Sequence, residues 1–379
     1  FFFFFFFFFF FFFFFFFPQS FPLQVKSHPK LWDGSWSLQE RYLQSDVRAM
    51  VEYARVRGVR VMVEFDMPGH AGAWCTGYPE ICPSPTCQQP LNVATNATFD
   101  LIDDLLKEVT GGVASTPGAP SPGLFKDNFV HLGGDEVNTG CWDSTPSVAA
   151  WLKKEGMTAD DGYAYFAKRV AEIAISYDHR PVQWSEVYDH FKTKLDKRTI
   201  VHIWKSNTNG RSICLKLSRA IHSTALYNPL TLSSQPLFLL LLLPAVTEVV
   251  ANGYQTLLNV GYDAKSWYLD NLNVKWDAVY SNEPCQGVPD DLCHMIIGGH
   301  GEMWGETVDA SDIEQTVWPR LGAIAERLWS NRNLTQSTWA LPRIEAFRCL
   351  LNRRGVDAAP VNNANARSSP PGPGSCYRQ

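Results

Sequence analysis

The sequence predicts an α/β protein built as a (β/α)8 TIM barrel, and three observations carry that prediction. Short apolar runs of strand length alternate with amphipathic stretches of helical length, the pattern of parallel strands joined by crossover helices. Six such strands can be placed, at 59–65, 128–131, 181–184, 199–204, 255–260 and 296–299, a count and spacing that suit a barrel better than a doubly wound sheet. Polar and aromatic residues cluster at or just after the strand ends: His70, Asp135 and Glu136, Trp184 and Glu186, Trp204, Tyr268, Trp304 and Glu306. In a parallel barrel those ends share one face, where catalytic groups collect.

Residues 1–17 are unbroken phenylalanine, so the 14% aromatic content overstates what a folded part contains. The tract lacks the basic start and small-residue cleavage site of a secretory signal and the flanking charges of a membrane span, and it reads as an artefact of gene prediction. Residues 18–379 then form the catalytic barrel. A first helix is expected at 45–58, with Ser45 as N-cap, Val47, Met50, Val51 and Ala54 at helical spacing, and Gly58 past its end. The strand at 59–65 runs into Asp66-Met67-Pro68-Gly69-His70, and Gly111–Gly123, rich in Gly, Pro and Ser, reads as a surface loop. Helices are expected at 147–155 and 162–177. Two more close the chain, at 317–329 with Leu321, Ile324, Ala325 and Leu328 on one face, and at 339–354 with Leu341, Ile344, Phe347 and Leu351. Trp329 and Trp339 are expected to pack on those stripes.

Residues 210–245, culminating in Leu237-Phe238-Leu239-Leu240-Leu241-Leu242-Leu243-Pro244, have neither helical nor strand periodicity and are too short to cross a bilayer. They read as a translated intron end, a non-native insert. The tail at 366–374 reads as poorly ordered, tethered by Cys376.

The 379 residues are 45% apolar with a net charge of −5, which provides no basic field and argues against nucleic acid as a partner. Of nine cysteines, Cys214 falls in the insert, and the others are expected to pair as Cys75–Cys82, Cys87–Cys141, Cys285–Cys293 and Cys349–Cys376. Together with the sequons at Asn96 and Asn333, these pairs point to an oxidising compartment, hence a secreted or lysosomal protein.

The strongest chemical signal is His131-Leu132-Gly133-Gly134-Asp135-Glu136, which follows the apolar Phe129-Val130. A Gly-Gly step lets the chain leave a strand sharply, and two adjacent acids in unlike environments can divide the work of proton donor and fixed anion.

These segments resemble the β-N-acetylhexosaminidases of glycoside hydrolase family 20. The resemblance rests on Glu64-Phe65-Asp66-Met67-Pro68-Gly69-His70, His131-Leu132-Gly133-Gly134-Asp135-Glu136-Val137, Gln183-Trp184-Ser185-Glu186-Val187, Trp267-Tyr268-Leu269-Asp270 and Met303-Trp304-Gly305-Glu306. It implies exo-acting hydrolysis of terminal non-reducing N-acetylglucosamine or N-acetylgalactosamine from oligosaccharides, glycoconjugates or chitin fragments. The implied route is substrate-assisted retention, in which the sugar's own acetamido carbonyl attacks the anomeric carbon. By the same resemblance Glu136 is the acid and later the base, and Asp135 stays ionised and accepts the acetamido N–H. Tyr268 holds the acetamido oxygen, and His70 belongs to a relay that tunes the acid. Trp184, Trp204 and Trp304 would wall the sugar subsite, with Glu306 and Asp270 on the outer hydroxyls. The chemistry calls for no cofactor and no metal, and the resemblance implies a homodimer.

Family members carry an N-terminal α/β domain, then a strand with a sugar-binding arginine, then a strand ending in an Asp that partners the histidine. This chain starts after that point, at Gln19-Ser20-Phe21-Pro22. The expectation is therefore an incomplete barrel lacking its first two strands, unstable and inactive as a fragment although the full gene product is active. Two rival functions differ in class. One is a non-catalytic N-acetylhexosamine-binding protein, which intact Asp135, Glu136 and Tyr268 argue against. The other is a metal-dependent hydrolase using His70, His131, Asp135 and Glu136, whose spacing has no recognised ligand pattern.

Overall fold

All six expected strands form, with somewhat different ends. The computed structural model describes residues 5–6, 20–112, 123–205, 245–259 and 267–361. These fall into two units, one running up to His202 and including Glu302–Ile313, the other comprising Ile203–Gly301 and the residues from Glu314 onward.

In the first unit, β1 (Phe5–Phe6) pairs in parallel with β2 (Arg60–Val61). The rest of the phenylalanine tract lies outside the described residues. Pairing continues past β2: the His131 N–H donates to the Val63 carbonyl (2.9 Å) and the Phe65 N–H to the His131 carbonyl (3.0 Å). β3 (Phe129–His131) lies parallel to β4 (Arg180–Trp184), and β4 to β5 (Ile200–Ile203), with Trp184 opposite His202. β3 is buried throughout, as a strand covered on both faces must be. In the second unit β6 (Thr256–Leu258) and β7 (Ile296–Gly299) are also parallel.

A helix at Asn96–Thr110 was not expected from the sequence. The Thr95 hydroxyl caps it by accepting the Ala97 N–H, Gly111 ends it at φ 82°, and its buried stripe includes Phe99, Ile102, Leu105, Leu106 and Val109. Phe99 packs on Phe166 of the helix Ala159–Ser176 at 5.2 Å between ring centres.

Several expectations need correction. The first helix spans Gln44–Arg55 and is capped at Leu43, whose N–H donates to the Asp46 carboxylate (3.0 Å), so Ser45 lies inside the first turn. The helix expected from 317 starts at Arg320, because Pro319 ends the preceding Ile313–Val317 helix and offers no N–H to continue it. Its buried face is Gly322, Ala323, Ile324, Arg327 and Leu328, while Leu321 and Ala325 are half-buried. On the helix Ser337–Arg353 the buried residues are Ala340, Ile344 and Arg348, and Leu341 is exposed. Arg327 and Arg348 join apolar stripes because their guanidiniums donate to main-chain carbonyls of Asn331, Leu334, Ala358 and Ala359. Trp329 and Trp339, expected to pack inward, are 61% and 51% exposed.

Three expected disulfides form, Cys75–Cys82, Cys87–Cys141 and Cys285–Cys293. Cys376, the 366–374 tail and most of the 111–123 loop lie outside the described residues, as does the 210–245 segment except Ala245, which opens the helix Ala245–Ala251. Among the described residues no helix is long and apolar enough to cross a membrane.

Candidate active site

The turn after β3 is built by its glycines. Gly133 and Gly134 take φ values of 64° and 99°, a region closed to most side chains. A Cβ on Gly133 would sit 1.8 Å from Oδ1 of Asp66, and one on Gly134 2.5 Å from Val187. This close approach lets the Gly134 N–H donate to Asp66 Oδ1 at 2.9 Å, while the Tyr163 hydroxyl donates to the Gly134 carbonyl. The chain then presents Asp135 and Glu136, with Glu136 itself at φ 50°.

The two acids occupy unlike surroundings. The Asp135 side chain is 13% exposed and that of Glu136 51%, and both face His70, whose Nε2 lies 3.6 Å from Asp135 Oδ2 and 3.7 Å from Glu136 Oε2. His70 also has positive φ, 51°, just after the Pro68-Gly69 turn. Burial, and then the neighbouring Asp66, hold the Asp135 carboxyl well above the ordinary carboxylate range, with His70 acting against them. Asp66 is raised too, by burial and by Glu64, and the two carboxyls hydrogen-bond each other. In the substrate-free protein burial and the neighbouring acid thus act against the ionised form of Asp135, and His70 acts for it.

Behind this turn lies a buried layer. His131 sets Nδ1 3.1 Å from both the Gly133 N–H and Glu64 Oε1, and Nε2 3.1 Å from His202 Nδ1. Burial pushes its pKa down to about 3, so the imidazole is neutral. Both ring nitrogens are engaged, so the metal set His70, His131, Asp135 and Glu136 is not assembled. Asp66, His70 and Asp135 do place one ligand atom each within 4.8 Å of one another, an approach already explained by the carboxyl pair. Trp184 donates its indole N–H to Glu64 Oε1 (2.8 Å) and stacks on His202 at 4.2 Å between ring centres. It is only 1% exposed. Trp304, half-buried, meets it at 5.9 Å and directs its N–H at Glu302 Oε2 (3.4 Å). Glu306 is exposed.

In the second unit, Trp204 is half-buried under the Lys205 ammonium (4.2 Å). Tyr268 is half-buried, and Asp270 is buried in the tight turn that follows. The Asn271 N–H donates to the Tyr268 carbonyl (3.2 Å) and the Val274 N–H to that of Asn271 (3.1 Å), closing the turn.

Residues 17–332 match the family model described as glycosyl hydrolase family 20, catalytic domain. The chain belongs to this family. It is 42% identical to beta-hexosaminidase 1 of Arabidopsis thaliana over 369 residues, which is 95% of this chain and 58% of that protein. It is 31% identical to the human beta-hexosaminidase subunit beta, with 90% and 55% covered. The chain thus spans somewhat under three fifths of these curated relatives. Among solved structures, a chitobiase from Flavobacterium johnsoniae superposes with a TM-score of 0.69 at 26% identity, covering 89% of this chain and 46% of that one. An exo β-N-acetylglucosaminidase from Vibrio harveyi, solved with N-acetylglucosamine, gives 0.70 at 20% identity over 91% and 53%. The parallel strands and covering helices described above are accordingly those of a family 20 catalytic barrel.

Around the turn after β3, sequence reasoning assigned no role to Asp66, Glu64 or His202. Asp66 and Glu64 lie in the segment leading to His70, but their partners Gly134 and Asp135 come from the turn after β3 and Trp184 from β4, and nothing local signals those pairings.

Proposed function

We propose that the protein is an exo-acting β-N-acetylhexosaminidase, removing terminal N-acetylglucosamine or N-acetylgalactosamine from oligosaccharides, glycoconjugates or chitin fragments by substrate-assisted retention. The observation that carries this reading is the joint approach of Asp135 and Glu136 to His70 at the end of β3, in a chain of family 20. Glu136 is the more accessible carboxyl and the one suited to protonate a leaving oxygen and then activate water. Asp135 binds the acetamido N–H. The substrate amide supplies a hydrogen-bond donor and the developing positive charge an attraction, and both favour the carboxylate that burial alone disfavours. His70 positions the two acids. Tyr268 orients the acetamido oxygen, Asp270 and Glu306 take the outer hydroxyls, and Trp184, Trp204 and Trp304 supply the apolar surface for the pyranose.

Three disulfides and the exposed sequon residues Asn96 and Asn333 support passage through the secretory route to the lysosome or the exterior.

Turnover of an aryl β-N-acetylglucosaminide tests the assignment: Glu136→Gln is expected to lower kcat by about 10²- to 10⁴-fold. Unchanged turnover in that variant would remove Glu136 from the chemistry. Tight binding of N-acetylglucosamine thiazoline by the unaltered protein with no turnover would replace the enzyme by a non-catalytic sugar-binding protein.

A further inference from the structure

We infer that Arg320 is a positioning residue for substrate recognition, its guanidinium fastening the main chain of the turn that carries Tyr268 and Asp270. Arg320 opens the helix Arg320–Trp329 and is 2% exposed. Its Nη1 donates to the carbonyls of Asn271 (2.8 Å) and Val274 (3.3 Å), and its Nη2 to that of Leu269. Nε and Nη2 reach the Thr316 carbonyl at 3.1 and 2.6 Å. A guanidinium has five N–H donors in a planar fork, and five hydrogen bonds are drawn from it here.

The arrangement is unusual in what it holds. These acceptors are all main-chain carbonyls, and three of them bracket the turn from Leu269 to Val274. A cation buried without such acceptors would be costly, and burial pushes the Arg320 pKa down to about 10 while Asp270 pulls it back up. Arg320 therefore stays charged at neutral pH and binds the turn by charge-assisted hydrogen bonds. Upstream, the Trp267 indole N–H donates to the Val279 carbonyl (3.0 Å), so Tyr268 is set between two anchors. Lysine, with three donors on a flexible stem, cannot reproduce the fork.

This inference rests on the reading that Tyr268 and Asp270 meet the sugar, so Tyr268→Phe and Asp270→Asn are measured beside Arg320→Lys, Arg320→Gln and Arg320→Ala. The assay is turnover of an aryl β-N-acetylglucosaminide by the full gene product, with near-UV circular dichroism as the check of fold. Folded Arg320→Lys is expected to lose about 10- to 100-fold in kcat/KM, the scale of an ångström-sized misplacement. Methylguanidinium is expected to restore part of the activity of Arg320→Ala and to leave Tyr268→Phe unmoved. If Tyr268→Phe and Asp270→Asn are impaired while Arg320→Lys and Arg320→Gln keep wild-type kcat and KM, the positioning role is overturned and the functional reading stands. If Tyr268→Phe and Asp270→Asn are both silent, the functional reading fails and this inference with it. If neither Arg320→Lys nor Arg320→Gln folds and methylguanidinium recovers nothing, Arg320 serves folding alone and the inference is likewise overturned.

Discussion

The turn after β3 and the turn at Leu269–Val274 present candidate sugar-binding groups by opposite means. In the first, a side chain holds the backbone in place: the Asp66 carboxyl accepts the Gly134 N–H and pairs with Asp135, and the space it needs leaves no room for a Cβ at Gly133. In the second, a buried guanidinium grips carbonyls, which every residue type carries. The first device therefore ties geometry to the identity of several residues at once and makes the turn's protonation part of its structure. The second depends on one arginine and is indifferent to most side chains in the turn it holds.

Substitutions within the two turns measure that contrast. Gly133→Ala is expected to have the largest effect, about 2–5 kcal/mol in unfolding free energy, because a left-handed backbone and a clash with Asp66 add together. A denaturation midpoint within error of wild type would show that the turn can open to admit a methyl group.

Next in size is the pH response of the Asp66–Asp135 pair. Both carboxyls are raised in the folded protein, so the stability they contribute is fully present below the unfolded value of about 3.9 and is lost as pH rises through the folded values. Asp66→Asn, which keeps a donor beside Asp135, is expected to flatten this fall in melting temperature at rising pH. Parallel pH curves for variant and wild type would contradict it. His131 carries the opposite sign. Its pKa is lowered to about 3, and stability present above the unfolded value of about 6.5 is lost as pH falls toward the folded one. His131→Asn is expected to reduce acid sensitivity over that window, read from melts at successive pH values.

The smallest effect is expected at Asn271→Ala. Its carbonyl still accepts from Arg320, and only the side-chain bond to the Asn273 N–H (3.1 Å) is lost, so the change should stay within about 1 kcal/mol and leave KM unaltered. A large rise in KM would show that side chains in this turn matter as much as those after β3.

Much of the fold was legible because periodicity reports burial directly. The strands at 181–184 and 296–299 and the helix at 147–155 were found nearly to the residue, since each is a short apolar or amphipathic segment with punctuated ends. The Asn96–Thr110 helix escaped although Thr95 and Gly111 mark its ends, its first residues having been read only as a sequon. The closing helices were misaligned because Arg327 and Arg348 count as polar in any pattern yet are buried, satisfied by carbonyls that only the fold brings near. Trp184 was recognised as a strand-end residue, but its burial against His202 depends on β4 and β5 lying side by side.

By itself the sequence determined the chemistry on offer: a Gly-Gly-Asp-Glu step at a strand end, a histidine after a Pro-Gly turn, and the cysteines of two short-range bridges, Cys75–Cys82 and Cys285–Cys293. Local backbone preference and burial suffice for such features, because each is decided within a few residues. The tertiary structure alone decided which carboxyl is buried, that Asp66 lies beside Asp135 and raises its pKa, and that a guanidinium 51 residues downstream grips the Leu269 carbonyl. Desolvation and hydrogen bonding act over a few ångströms of space, and the residues that come that close are set by the packing of strands and helices far apart in the chain.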